Sequence, residues 1–251
     1  MAVRSVANTT DLLSFDELRA QLRAVGEERY HHRHPFHLMM HEGQLSRGQL
    51  QAWALNRYYY QSTIPIKDSI ILSRGPDPAF RRAWRKRVVD HDGDATSDGG
   101  IKRWLKLAEA TGLDPEQVRT GTGILPATRF AVNEYLNLVR SRSLLEAVAS
   151  SLTELFSRDL ISLRMEKLRQ RYPWLSGGLD YFEARLTQAP EDAQFAINYV
   201  YENAKTRPEQ ELAIQALRDK CDILWAQLDA LYFAYVQPGW PPPGAFQIGE
   251  E

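Results

Sequence analysis

The stretch Asn56-Arg57-Tyr58-Tyr59-Tyr60-Gln61-Ser62-Thr63-Ile64-Pro65-Ile66-Lys67-Asp68 decides how the chain is read. It sets Arg57, Gln61 and Lys67 among three tyrosines in an otherwise apolar helical run. Upstream, Ser46 with Gln49 forms a capping box that starts a long helix carrying this stretch. Arg57 and Gln61 lie four residues apart and project from one face, while Pro65 removes a backbone donor and predicts a kink just before Lys67 that turns a third polar group inward. Such a helix suits a flat, anionic ligand. The same residues also describe a partly buried helix with snorkelling cations and amphipathic tyrosines, and composition alone favours that plainer reading.

Working outward, apolar positions recur at helical spacing almost everywhere, and no pair of alternating runs is joined by a hairpin turn. The fold class is therefore all-α. Ser14 caps a helix reaching about Tyr30, and Asp77-Pro78 opens another. Further helices are expected at Gly100 to Ala110, ended by Gly112, from Asp114-Pro115, at Pro126 to Ser141, and at Leu144 to Gln170 with an interruption around Ser157. Tyr181 to Gln188 reads as one helix, Pro190 as the opening of the next, and Pro208-Glu209 as the start of a long one to about Tyr235. Residues 1–236 form a single helical body, followed by a Pro/Gly-rich tail at 237–251.

The 251 residues carry 31 Lys plus Arg against 32 Asp plus Glu, so the overall balance encodes no attraction to nucleic acid or membrane and any anion site has to be local. The basic run Arg81, Arg82, Arg85, Lys86, Arg87 reads as a solvated helix face without a second stripe to extend it. A single cysteine, Cys221, permits no intrachain disulfide and fits a reducing compartment, with the cytoplasm as the expected location. The amino terminus lacks an apolar core of signal-peptide length, and no apolar span is long enough for a bilayer.

Five of the six histidines, His31, His32, His34, His37 and His41, fall within eleven residues. Glu28 and His31 have the Glu-x-x-His spacing of di-metal bundles, but that spacing occurs once and the design needs it twice. A loop cluster of histidines at a cavity mouth is therefore preferred, with no metal. Arg87 and His91 share a helix face near its end, flanked by Asp90 and Asp92, an arrangement that can tune a general base. Tyr181 and Arg185 repeat the i, i+4 device, and Lys220 lies in an apolar helix where its neighbour Asp222 cannot share its face. Arg164, Tyr135 and Thr153 are further polar points in helical runs, each with an ordinary packing explanation. Together these residues describe a site rich in cations and poor in carboxylates, suited to a substrate bearing several carboxylates. No glycine-rich phosphate loop, Gly-x-Ser-x-Gly elbow or Cys-x-x-Cys pair is present.

At these residues the chain resembles the pyrroloquinoline-quinone synthase family. The resemblance covers roughly residues 15–236, through Tyr30-His31 with His34-Pro35, Asn56-Arg57 to Lys67-Asp68, Asp90-His91-Asp92-Gly93, Asp98-Gly99-Gly100, Ser150 to Phe156, and Asp222 to Trp225. It implies a haem-oxygenase-like helical bundle and a cofactorless oxidase. That oxidase closes a ring and removes eight electrons and eight protons from a bicyclic, multiply carboxylated dioxo precursor. Dioxygen is the co-substrate, hydrogen peroxide is released and pyrroloquinoline quinone is the product. It also implies a homodimer and closure of helices over the ligand. Carried over by position, Tyr30, His31, Arg57, Gln61, Lys67, Arg87, Tyr135, Thr153, Arg164 and Lys220 hold carboxylates and quinone oxygens. His91 is the leading general base, and Tyr181 and Arg185 assist the oxygen chemistry.

One position departs from the family pattern: Ile161 stands where a histidine of the oxygen-handling end is expected. Two other readings follow, a quinone-binding or carrier protein with weakened turnover, and a di-iron oxidase on the same fold. Against the latter, Tyr181, Arg185 and Gln188 occupy the helix where iron ligands would be required, and a cation there repels iron.

Overall fold

A computed structural model describes residues 11–249 as helices joined by short turns, and no strand occurs among the described residues. The expectations resting on Met1 to Thr10, and on the last two residues of the tail, lie outside the described residues.

The chain runs as α1 (Phe15–Arg29), a 3₁₀ turn (His31–Arg33), α2 (Pro35–Glu42), α3 (Arg47–Ser73), α4 (Pro78–Asp92), α5 (Gly100–Thr111), α6 (Pro115–Thr120), α7 (Pro126–Ser141), α8 (Leu144–Ala149), a 3₁₀ turn (Leu152–Phe156), α9 (Ser157–Arg171), a 3₁₀ turn (Pro173–Gly178), α10 (Asp180–Asn203) and α11 (Arg207–Tyr235). The starts are written in capping chemistry. Ser14 and Ser46 make reciprocal capping boxes with Glu17 and Gln49, and Asp77 accepts from the amides of Ala79 and Phe80 ahead of Pro78. Gly112 ends α5 in the left-handed conformation at φ 96°, where a side chain would be strained.

Three sequence expectations give way. The histidine segment is not a loop: it forms a 3₁₀ turn and α2, with His31, His34 and His37 buried. Helix α3 runs on past Pro65, which lies inside it. The run from Leu144 breaks at Ser150, before the expected Ser157: the Ser150 hydroxyl donates back to the Ala147 carbonyl and a 3₁₀ turn follows. The helix from Tyr181 does not stop before Pro190, and α10 passes through it. Its buried positions Tyr181, Arg185, Ala189, Ala193, Ala196 and Val200 keep helical spacing across the proline, so burial of one continuous face offsets the hydrogen bond lost there.

Helix α3, about 40 Å long at 1.5 Å per residue, passes through two apolar clusters. Its first half packs Leu50, Trp53 and Leu55 with Trp104, Leu168, Phe182 and Leu228. Its second half packs Tyr60, Ile64 and Ile71 with Trp84, Tyr135, Val148, Ile197 and Leu217. The tail folds back on the body: the Phe246 amide donates to the Gly123 carbonyl, the Tyr235 hydroxyl donates to the Phe246 carbonyl, and Ala245 is buried.

Candidate active site

Between the two clusters lies a cavity of about 100 Å³ walled by both of them. Arg57, Tyr60, Gln61, Ile64 and Lys67 reach it from α3 at steps of three or four residues, so Lys67 faces inward by ordinary helical spacing and needs no kink. Arg87 and His91 come from α4, Tyr135 from α7, Ile161 and Arg164 from α9, and Tyr181 and Arg185 from α10. The break after α8 delivers Ser151, Thr153 and Glu154, and the turn after α1 delivers Tyr30 and His31. Twelve of the thirteen residues singled out in the sequence line this one cavity. The exception is Lys220, which sits one layer behind: its Nζ donates to the Tyr60 hydroxyl at 2.8 Å and lies 3.4 Å from the Tyr135 ring centroid.

The cavity has two electrostatic halves. In the first, Arg57, Arg164 and Lys220 have no carboxylate partner among the described residues. Arg57 stacks on the Tyr60 ring at 4.1 Å, and an Arg164 terminal nitrogen approaches His37 Nδ1 at 3.0 Å, while His37 Nδ1 itself lies 2.9 Å from the His31 carbonyl. Burial pushes the Arg164 guanidinium down to about 10, with Arg57 adding repulsion. Burial, then Arg57 and Lys67, holds the Lys220 ammonium well below its ordinary range. Burial and Arg57 likewise keep His31 neutral. Three buried polar atoms here, His31 Nδ1, Gln61 Nε2 and Arg164 Nε, have no hydrogen-bond partner among the described residues. Leaving such atoms unpaired costs about 1–3 kcal/mol each, a cost that an oxygen-rich ligand would relieve.

The second half is a closed ion-pair network. It corrects the expectation of a carboxylate-poor site. Glu154 takes both terminal nitrogens of Arg87, at 2.7 and 3.0 Å, and one of Arg185 at 2.8 Å. Asp68 accepts from Lys67 at 2.5 Å and from Arg87 at 3.3 Å, and Asp192 reaches Arg185 at 3.3 Å. Burial opposes ionisation, yet Arg87 and Arg185 hold the Glu154 carboxyl below its usual range, as Lys67 and Arg87 do for Asp68. Asp192, pushed the other way by burial and by Glu154, rises to about 6. Asp68 and Glu154 lay inside the segments that carried the family resemblance, but only their packing against Arg87 reveals a role. Asp90 does not reach His91, pairing instead with Lys86 at 3.0 Å.

His91 lines the same cavity. Its Nδ1 lies 3.0 Å from the Arg87 carbonyl, which only accepts, so the proton is on Nδ1 and Nε2 keeps its lone pair. Burial and the neighbouring Arg185 push the ring down to about 4. The imidazole is thus an unprotonated base across the neutral range. In the same cavity the Tyr181 hydroxyl donates to Gln61 Oε1 at 3.0 Å. Ile161 also lines the cavity and offers no transferable proton. Glu28 points to solvent beside Arg29 while His31 is buried, so the Glu-x-x-His spacing brings no pair together. Among the described residues no group of three metal-ligating side chains forms, and no helix is long and apolar enough to cross a membrane.

A protein of Acidiphilium cryptum named pyrroloquinoline-quinone synthase is 58% identical over 238 residues, spanning 94% of this chain and 97% of its own. One of the same name from Granulibacter bethesdensis is 56% identical over 239 residues, spanning 95% and 94%. The crystal structure of a domain of unknown function with a haem-oxygenase-like fold, from Shewanella denitrificans, superposes with a TM-score of 0.75 over 94% of this chain and all of that one. At 12% identity, that likeness concerns the fold alone. A model of the TENA/THI-4/PQQC family matches residues 19–230, and with relatives this similar over nearly its whole length, the chain belongs to that family.

Proposed function

We propose that this chain is a pyrroloquinoline-quinone synthase, an oxidoreductase that closes the last ring of its bicyclic, multiply carboxylated precursor and oxidises it with dioxygen, releasing hydrogen peroxide. One observation carries the reading: the cations of Arg57 and Arg164, neither with a carboxylate among the described residues, line one buried cavity together with a lone-pair-bearing His91 Nε2, and Lys220 stands behind that wall on the Tyr60 hydroxyl. Burying uncompensated cations is costly, and a ligand with several carboxylates compensates them.

In this reading Arg57, Arg164, Gln61, Lys67, Tyr30, His31, Tyr135 and Thr153 fix the carboxylates and quinone oxygens, with Lys220 acting through the Tyr60 hydroxyl. His91 Nε2 removes a proton from carbon, and the electron-rich ring passes electrons to dioxygen itself. Each dioxygen reduced to hydrogen peroxide takes two electrons and two protons. Tyr181 supplies a hydroxyl and Arg185 a positive charge where reduced oxygen develops negative charge. No metal or organic cofactor is needed, and the placing of Tyr181, Arg185 and Gln188 on one helix agrees with that. A homodimer in the cytoplasm completes the reading, with residues 1–236 as the catalytic body and 237–251 as its tail.

Ile161 favours a second reading, a quinone carrier that binds without full turnover. Anaerobic mixing of protein with precursor, followed by dioxygen, separates the two. Synthase activity gives free quinone, peroxide and oxygen uptake. Tight binding without oxygen uptake leaves the carrier. Activity that requires stoichiometric iron and is lost to a chelator overturns both.

A further inference from the structure

Two cavities meet at the 3₁₀ turn Leu152–Phe156. One is the buried site. The other is a surface cleft of about 470 Å³ between α1, the turn after it, and the facing parts of α9 and α10. Glu154 borders both.

The buried cavity, at about 100 Å³, is too small for a tricyclic ligand, since pockets for molecules of that size usually measure several hundred Å³. It has to open, and the wall it shares with the cleft is a single short turn. Phe156 is the plug in that wall. Its ring packs edge-on against Tyr30 at 4.8 Å, and Tyr30 lines the buried cavity. The ring is seated over Gly26, where it leaves no room for a Cβ. A glycine within a helix costs up to about 1 kcal/mol relative to alanine, and the seat for this ring accounts for Gly26 in the last turn of α1.

The cleft also has the right charge. Arg19 and Arg23, one turn apart on α1, and Arg33 beyond it have no ion-pair partner among the described residues. Glu27 and Asp159 share the cleft, so among the described residues its own side chains leave one positive charge in excess, while the Glu154 carboxylate is occupied by Arg87 and Arg185.

We infer that this cleft is an outer subsite that receives a multiply carboxylated small molecule and passes it to the buried site past Phe156; the inference rests on reading the buried site as one for such a ligand. Displacing the Phe156 ring from Gly26 joins the two cavities. An arriving carboxylate then takes the place of Glu154 on Arg87, exchanging one carboxylate for another without leaving the guanidinium bare.

A group that only controls passage changes association and dissociation rates by the same factor and leaves Kd in place. The test follows pyrroloquinoline quinone, the product, binding to the full chain by stopped-flow absorbance. Phe156→Ala is expected to raise both rates together, about tenfold. Gln194→Phe, a bulky change at the exposed rim, is expected to lower both. The double change Arg19→Glu with Arg23→Glu is expected to slow association by about tenfold at low salt, at the low end of electrostatic steering, with the difference shrinking as salt rises. Gln194 and the two arginines are exposed, so these variants fold even if Phe156→Ala does not. Quinone binding with rates indifferent to the rim changes overturns the cleft alone. A wild-type chain that binds no quinone overturns the functional reading, and this inference with it.

Discussion

Replacing Arg164 by methionine is expected to make the free protein more stable and the ligand complex weaker. Among the described residues the guanidinium is held by one neutral contact, to His37, and its Nε is buried without a partner. Its downward displacement from 12.5 to about 10 corresponds to about 3 kcal/mol of charge burial, at 1.36 kcal/mol per pH unit. The side chain keeps some exposure, and the substitution forfeits the contact to His37, worth about 1 kcal/mol. A net gain of about 1–2 kcal/mol remains, which in a chain of this size raises Tm by about 2–8 °C. Because the folded-state value is depressed, the penalty is fully present below pH 10 and is relieved only as pH climbs from there toward 12.5. The gain in Tm should therefore be constant between pH 6 and 9. Quinone affinity should fall by about 1.5–3 kcal/mol, the worth of a hydrogen bond to a charged group. Thermal melts with and without pyrroloquinoline quinone, and a binding titration, measure both effects on one preparation. A lower Tm with undiminished affinity would show that Arg164 is an ordinary packing residue, and the argument from uncompensated cations would fall with it.

Three further outcomes follow from the same geometry. His91→Ala should leave the fold and quinone binding intact but lower precursor oxidation by about 10²–10⁴-fold; in the wild type, with His91 at about 4, kcat/KM should show no acid limb near pH 6.5, and such a limb would remove His91 as the base. Glu154→Gln should cost about 3 kcal/mol at pH 7 by leaving Arg87 and Arg185 under-compensated. Since the depressed carboxyl contributes stability above its unfolded value that is lost as pH falls through its folded one, the gap between variant and wild type in denaturant melts should narrow below the usual carboxylate range, and a widening gap would contradict the pairing. Ile161→His should raise dioxygen uptake by up to about a hundredfold if a missing proton donor limits the oxidative half; an unchanged rate in an oxygen electrode would show that Tyr181 and bound solvent already suffice.

The helix starts were legible because caps are local chemistry: Ser46 with Gln49 and Asp77 with Pro78 need no tertiary information. Pro190 misled for the same reason. Prolines at first helical positions are common, and only the buried stripe from Tyr181 to Val200, read across the proline, shows that α10 continues. The cavity lining was legible through the resemblance, since polar residues at helical spacing on an apolar face have an ordinary packing explanation taken one at a time. The carboxylate network was not. Asp68, Glu154 and Asp192 are unremarkable in sequence, and their meaning comes from three different elements converging on Arg87 and Arg185. Lys220 shows the reverse limit: its apolar helix announced a buried cation, but not that two tyrosines would stand between it and the cavity.

The two partners of His37 Nδ1 have a consequence for how Arg164 is released. A carbonyl only accepts and a guanidinium only donates, so that nitrogen can serve the His31 carbonyl or Arg164 but never both. Burial, with Arg164 close by, keeps the His37 ring neutral, so its one proton is free to sit on either nitrogen. While Arg164 occupies Nδ1, the proton resides on Nε2. Once a carboxylate draws the arginine away, the tautomer reverses and Nδ1–H closes on the His31 carbonyl. The ring works as a two-position holder: one hydrogen bond replaces another at Nδ1, and the arginine leaves for the ligand without orphaning the group it left.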